Sequence, residues 1–364
     1  MKKPTVVVAM SGGVDSSLAA ALLKDSGYDV VGVTMDVFSL PKEVCRSETL
    51  HSCCGQTALL DANRVATHLR IPHYVLDLRK DFEKWVVKDF CDEYARGRTP
   101  NPCIRCNTYI KFEALWKRAQ KLGADFVATG HHARVERDLA TDEYLLLKGK
   151  DRDKDQSYFL YTITQAQLAR TLMPIGELTK KDVRKKAKDY GLPVHEKPES
   201  QEICFIPDNN RVRFLREKIP SAFRPGPIVD ARGRNLGTHP GIPCFTIGQR
   251  RGLGISAPRP LYVMDILPET ETIVVGERKD LLREKAQLSC VNLIGKTDQR
   301  SFRARAKIRY KHREARATVT LLREGRAALL EFESPQRAIT PGQAAVFYRG
   351  ERVIGGGIIE ATSG

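Results

Sequence analysis

Short apolar runs alternate with amphipathic stretches through the first 130 residues. Thr5-Val6-Val7-Val8-Ala9-Met10 is a nearly unbroken apolar run, the pattern of a strand covered on both faces of a parallel sheet. The pattern predicts a helix over 16–24, stopped by Gly27, and further strands over 28–34, 73–78 and 126–129. Phe112, Leu115, Trp116, Ala119 and Leu122 fall at helical spacing ahead of Gly123, a natural C-cap. Trp85 and Trp116 have apolar neighbours at that spacing and are expected in the core. This alternation predicts an open, doubly wound α/β domain whose ligand sits at the C-terminal ends of the strands. Another helix, over 180–190, ends at Gly191-Leu192-Pro193. Beyond about residue 207 Gly and Pro become dense and short alternating segments replace helices. From about 285 onward five or six short strands with turn signals predict a small β-barrel. The expected division is 1–206, 207–282 and 283–364.

Composition narrows the class. The chain has 364 residues, 41% hydrophobic and 29% charged, enough for two or three globular domains. No run approaches the roughly 18 apolar residues of a membrane span, and the N-terminus lacks the pattern of a secretory leader. Lys plus Arg is 60 against 44 Asp plus Glu, a net charge of +16, which favours a polyanionic partner, nucleic acid first. Nine unevenly spaced cysteines do not form a disulfide framework and fit a reducing cytoplasm.

Candidate chemistry begins at Ser11-Gly12-Gly13-Val14-Asp15-Ser16-Ser17, between the first strand and the first helix. The glycines let the backbone approach phosphate oxygens. Helix-start N–H groups and serine hydroxyls supply donors where the helix dipole favours negative charge. The Gly-Lys-Ser/Thr of a Walker loop is missing. With no lysine for a γ-phosphate, the loop suits holding pyrophosphate during attack at the α-phosphate. Asp15 could hold magnesium or cap the helix.

Two cysteine contexts stand out. Thr99-Pro100-Asn101-Pro102-Cys103-Ile104-Arg105-Cys106-Asn107 is a proline-stiffened loop ahead of a helix. It is expected to put Cys106 near a helix N-terminus, which favours thiolate. Its C-x-x-C could serve redox, zinc or iron–sulfur chemistry, although a structural zinc would need a second pair. Cys204, in Ile203-Cys204-Phe205-Ile206, sits in an apolar, strand-like end and by itself reads as a core residue. Cys45, His51, Cys53 and Cys54 read as loop or buried thiols more readily than as metal ligands. His131-His132 reads either as a solvated loop or as a phosphate or base contact. Arg303, Arg305, Lys307, Arg309, Lys311 and Arg313 occupy every second position. On one strand they would form a cationic ribbon about 33 Å long, facing RNA.

The loop at 11–17 matches that of the PP-loop ATP pyrophosphatases. Together with Thr99 to Asn107, Ile110-Lys111-Phe112, Ala128-Thr129-Gly130-His131, Lys154-Asp155-Gln156-Ser157-Tyr158-Phe159, Ile203-Cys204-Phe205 and Thr246 to Gly254, all in order, it makes the chain resemble the bacterial tRNA-specific 2-thiouridylase family nearly end to end. The resemblance implies an adenine-nucleotide-hydrolase-like PP-loop domain, a central β-rich domain contacting tRNA and a basic C-terminal barrel. It implies ATP-dependent sulfur transfer to carbon 2 of the wobble uridine of tRNAs for Lys, Glu and Gln, with Mg2+ expected. Cys204 would receive persulfide sulfur from an upstream carrier, and Cys106 would attack or release it, with a Cys106–Cys204 disulfide as one outcome. Ala9, Met10, Ser11, Gly12, Gly13, Val14, Asp15, Ser16, Met35 and Gly130 match ATP-contacting positions. Asn101, Pro102 and Cys103 match the segment facing the target base, and Lys154, Asp155, Gln156, Arg309 and Tyr310 match tRNA contacts. Because position 103 is Cys, a [4Fe–4S] cluster on Cys103, Cys106 and Cys204 is the alternative sulfur route. Other PP-loop ligases that modify tRNA share the loop but lack the Ile-Cys-Phe string. A cytoplasmic monomer is expected, with no membrane association and no protein-bound metal ion.

Overall fold

The computed structural model describes residues 3–38, 56–198, 203–322 and 325–363. Cys45, His51, Cys53 and Cys54 lie outside the described residues. The chain divides into two compact units, one of residues 1–86, 103–209 and 350–354, the other of residues 87–102, 210–349 and 355–364.

The first unit is built on five parallel strands. These are β1 (Thr5–Ala9), β2 (Asp29–Asp36), β3 (His73–Asp77), β4 (Phe126–Ala128) and, after the antiparallel hairpin β5 (Ala133–Asp138) and β6 (Glu143–Lys148), the short β7 (Thr171–Leu172). Their order in the sheet is β3-β2-β1-β4-β7. The apolar run of β1 is explained by its two covered faces. Val6, Val8 and Met10 pack with helix α1 (Val14–Asp25), α2 (Gln56–Leu69) and the helix Lys180–Asp189. Val7 and Ala9 face Leu115, Ala119 and the partly buried Trp116 on the other side. Val8 of β1 lies opposite Ala128 of β4, so the loops that follow these strands start side by side at one edge. This is the switch point of the sheet, with β2 and β4 on either side of β1.

Trp85 departs from expectation. It is 39% exposed, because the helical stretch from Arg79 widens to a π-type turn at Glu83–Val87 and shifts the 3.6-residue phase that would have turned it inward.

In the second unit, β8 (Gly226–Asp230), β9 (Asn235–His239), β10 (Tyr262–Leu267) and β11 (Thr272–Gly276) form a sheet in the order β10-β11-β8-β9. It closes over Ile228, Phe245, Val263 and Ile273. The remaining strands are β12 (Leu282–Leu293), β13 (Ser301–Lys307), β14 (Ala315–Leu322), β15 (Ala327–Arg337), β16 (Ala344–Arg349) and β17 (Arg352–Ser363). They follow the order β12-β15-β14-β13-β16-β17, and pairing of β12 with β17 closes a six-stranded barrel.

The cationic ribbon is not one strand. β13 ends at Lys307, the ladder to β14 stops at Ala306 opposite Ala315, and His312 N–H donates to Arg309 O at 3.0 Å to close a turn. The inside–outside alternation is real as far as it goes: Phe302, Ala306 and Ile308 are buried, and Arg303 and Arg305 are exposed. With Ile308 anchored in the barrel, the chain must turn to begin β14. Arg309, Lys311 and Arg313 therefore lie in a connection and not on a strand face.

Candidate active site

The chain leaves β1 at Met10, whose N–H donates to Val33 O of β2 at 2.8 Å and whose side chain is fully buried. Any contact Met10 makes with a ligand is therefore through its backbone. Gly12 has φ +66°, and a Cβ there would lie 2.3 Å from Ala58 O of α2, so no other residue fits the turn. Ser16 Oγ accepts from Ser11 N–H at 3.1 Å, while the Ser16 and Ser17 hydroxyls reach Gly13 O at 3.2 and 2.8 Å. Ser17 is fully buried and serves the turn, not a ligand. Helix α1 starts without a side-chain cap, which leaves its first N–H groups to an incoming anion. Gly130 follows β4, and a Cβ there would sit 2.5 Å from Ser16 N. This glycine lets the end of β4 lie against the start of α1.

Asp15 neither caps the helix nor lies in a cluster of carboxylates. Both of its oxygens accept from Lys180 Nζ at 2.7 Å, and His132 Nε2 lies 3.4 Å away. Burial alone would raise the Asp15 pKa, but His132 and Lys180 outweigh it and hold the carboxylate below its ordinary range. Lys180 opens a helix capped by Thr179 and Asp182 in a capping box. A second lysine, Lys197, donates to Gly12 O at 3.0 Å and to Asp61 of α2 at 2.7 Å. The loop thus has two lysines supplied from far along the chain.

The third cation at this edge is Lys111. Its Nζ is 3.4 Å from Nε2 of the buried His131, whose Nδ1 is 2.8 Å from Thr129 Oγ1 and whose ring stacks on Phe112. Burial first, and then the Lys111 and His132 charges, push the His131 pKa well below its usual value, so the ring is neutral at pH 7. Two separate sequence motifs, Ile110-Lys111-Phe112 and Thr129-Gly130-His131, thereby meet beside the loop.

The sulfur-bearing segments differ from expectation in detail. A helical segment begins at Pro102 and continues through a π-type stretch, Cys106–Ala114, into Leu115–Lys121. The first turn therefore holds the exposed Cys103. The half-exposed Cys106 lies one turn further in, beyond the reach of most of the terminal dipole. Cys204 is not on a strand. Ile206 N–H donates to Ile203 O at 2.9 Å, and Phe205 and Ile206 are buried, with Phe205 edge-on to Phe82 at 5.7 Å. The apolar residues around Cys204 are anchors of a turn that leaves the thiol half-exposed. Among the described residues no three His, Cys, Asp or Glu side chains converge as metal ligands. Cys103, Cys106 and Cys204 as placed do not make the three-thiolate set that a [4Fe–4S] cluster requires.

Comparison with known proteins adds to this geometry. Residues 4–208 match the model described as tRNA methyl transferase HUP domain, 212–277 the tRNA methyl transferase PRC-barrel domain, and 283–359 the aminomethyltransferase beta-barrel domain. The tRNA-specific 2-thiouridylase MnmA of Clostridium perfringens is 50% identical over 362 residues, 99% of each chain. That of Carboxydothermus hydrogenoformans is 50% identical over 356 residues, covering 98% of this chain and 97% of its own. The chain belongs to the tRNA-specific 2-thiouridylase family. Among solved structures, a 4-thiouridine synthetase–RNA complex with bound ATP is similar at TM-score 0.38 and 19% identity, covering 60% of this chain and 51% of that one. That likeness is too distant to bear on the chemistry.

The other residues singled out in the sequence lie in several places. Met35 lies at the end of β2, partly buried opposite Leu76. Asp155 is buried and accepts from Gly149 N–H, Ser157 N–H and Ser157 Oγ at 3.0–3.1 Å, so its carboxylate holds its own loop. Gln156 Oε1 accepts from His132 N–H at 2.9 Å. Lys154 is half-exposed. In the second unit, Arg309 donates to Arg337 O at 3.2 Å, and Tyr310 is half-exposed. The stretch ahead of Asn101 and Pro102 is fastened there too: Gln343 Nε2 donates to Thr99 O at 2.8 Å, and Thr99 N–H donates to Pro341 O at 2.9 Å. Lys180, Lys197 and Gln343 were missed by sequence reasoning. The predicted helix over 180–190 already put Lys180 at a helix start; its pairing with Asp15, 165 residues away, has no local signal.

Proposed function

We propose that the chain thiolates carbon 2 of the wobble uridine of tRNAs for Lys, Glu and Gln, with ATP and persulfide sulfur as co-substrates. The uridine O2 attacks the α-phosphorus of ATP, pyrophosphate leaves, and O2 becomes part of a good leaving group. The N–H groups at the start of α1, with Lys180 and Lys197, receive the pyrophosphate charge. Ala9 to Ser16, Met35 and Gly130 line the nucleotide. Magnesium brought with ATP would neutralise phosphate charge, and Asp15 is the carboxylate of the loop that would hold it. Asn101, Pro102 and Cys103 face the base, and Lys154, Arg309 and Tyr310 meet the tRNA.

Cys204 carries the outer sulfur as Cys204–S–SH after loading by an upstream carrier. The Cys106 thiolate attacks the inner sulfur, the S–S bond breaks, and the outer sulfur leaves as sulfide. Sulfide adds to C2 and expels AMP. A Cys106–Cys204 disulfide remains, and a dithiol reductant must return it by two electrons.

The observation that carries this reading is that a single helical segment bears Cys106 and, five residues on, Lys111 and Phe112 against His131 beside the loop. A thiol and residues beside the proposed adenylation site are thus carried on one helical segment. Cys106→Ser and Cys204→Ser are each expected to lower thiolation at least 100-fold while leaving ATP binding near wild type. The assay is mass spectrometry of the tRNA nucleosides after single turnover. A 2-thiouridine product from either variant at more than a few per cent of the wild-type rate overturns the assigned roles.

A further inference from the structure

Trp85, exposed against expectation, is not a stray surface residue. Its ring stacks on Tyr109, with centroids 4.7 Å apart and planes within 15°. The Lys84 ammonium lies 4.4 Å from the Trp85 ring centroid. On the Tyr109 side the Arg105 guanidinium is 5.8 Å from the ring, and Nη1 donates to the phenol oxygen at 3.4 Å. The result is a stacked aromatic pair with a cation at each ring, assembled from two helical segments of the first unit.

Its position connects it to the chemistry. Tyr109 and Arg105 flank Cys106 on one continuous helical segment, Arg105 as its neighbour and Tyr109 three residues on. A flat π-surface with adjacent cations is the recognition element for an unpaired base and its phosphate. It does not require a particular base, because every base has a π-face.

We infer that Trp85 and Tyr109, with Lys84 and Arg105, form a stacking platform that seats an unpaired nucleotide of the RNA next to the reacting uridine. The inference rests on the proposed function. The incoming base displaces the Lys84 ammonium from over the ring, and that flexible, exposed side chain then meets the phosphate. An acidic protein docking on the same cations is the competing occupant. The flat ring pair and the basic balance of the whole chain favour RNA.

The test uses the full chain and an anticodon stem–loop RNA with an unmodified wobble uridine. Trp85→Ala is expected to raise Kd about tenfold or more, and Trp85→Phe to restore most of the affinity. Unchanged melting temperatures would show that the exposed side chain was not structural. In a Trp116→Phe background, saturating RNA should quench the Trp85 emission. Wild-type affinity in Trp85→Ala, or no quench on binding, overturns the inference while leaving the proposed function standing. So does a Trp85→Ala variant that binds RNA normally and is slowed only in taking sulfur from a persulfide-loaded protein. Failure of the wild-type chain to bind the stem–loop overturns both.

Discussion

The loop after β1 and the basic arm made of β13 and the connection that follows it both offer positive potential to an anion, by opposite means. At the loop the cations are internal. Lys180 and Lys197 are held by Asp15 and Asp61 at 2.7 Å, all four side chains being largely buried. In the arm, Arg303, Arg305, Lys311 and Arg313 are exposed and stand in solvent. Charges at the loop are preorganised and weakly screened, so each acts strongly on a charge that develops during reaction. Charges on the arm are screened within about 10 Å at ordinary ionic strength and act by displacing counterions from RNA. On the proposed function, the first set serves the reaction and the second serves affinity for RNA.

The largest effect that could break this division is at Lys180. Lys180→Ala leaves Asp15 partly buried without its lysine partner and removes a charge proposed to meet the leaving pyrophosphate. Pyrophosphate release in single turnover should fall about 10²- to 10³-fold, with tRNA affinity unchanged. A fall of less than about threefold would place Lys180 outside the reaction.

The arm should respond to salt instead. Arg305→Gln and Arg309→Gln are expected to lower the slope of log K against log salt by somewhat under one unit per lost phosphate contact. The loss should be greatest at low salt, with ATP affinity constant. Because Arg309 lies in the turn and is held by Arg337 O, its variant should be the weaker of the two. Titration of tRNA at two salt concentrations measures both, and a salt-independent loss would mean that the arm acts by shape.

The smallest effect sharpens the comparison through one histidine in each region. Burial and the nearby Lys111 charge depress the pKa of His131. Burial and Arg309 bring that of His312 down to about 4. Both rings are neutral when folded, so the unfolded chain binds protons first as pH falls. Stability is fully present above the unfolded value of about 6.5 and is lost progressively below it. His312→Gln should flatten that loss between about pH 6.5 and 4 by about 2 °C in Tm. A Tm that rises on acidification would contradict the assignment of neutral rings.

The pattern of side chains made much of this readable in advance. The β1 run, the glycine turn and α1 are local: each depends on residues within about one turn of one another, and the chain has few alternatives there. The barrel strands were readable for the same reason. Cys204 was misplaced because an apolar string specifies burial without specifying extension, and Ile203 to Ile206 satisfied it with a turn. The arm was misread because period-2 alternation fixes which side chains face inward but not where a strand stops. That point was set by the turn the chain makes after the buried Ile308 to begin β14.

By itself, then, the sequence determined the parallel-sheet domain, the phosphate loop, the two β-rich domains and, through ordered motifs, the family. Only the tertiary structure decided that Asp15 is neutralised by Lys180, that Lys111 meets His131, that Gln343 holds the loop before Asn101, and that Trp85 faces outward onto Tyr109. Local pattern encodes the cost of exposing each side chain to water. Which distant groups share a site depends on how strands order across the sheet and where each helix changes its pitch, and those choices are made by packing the whole unit.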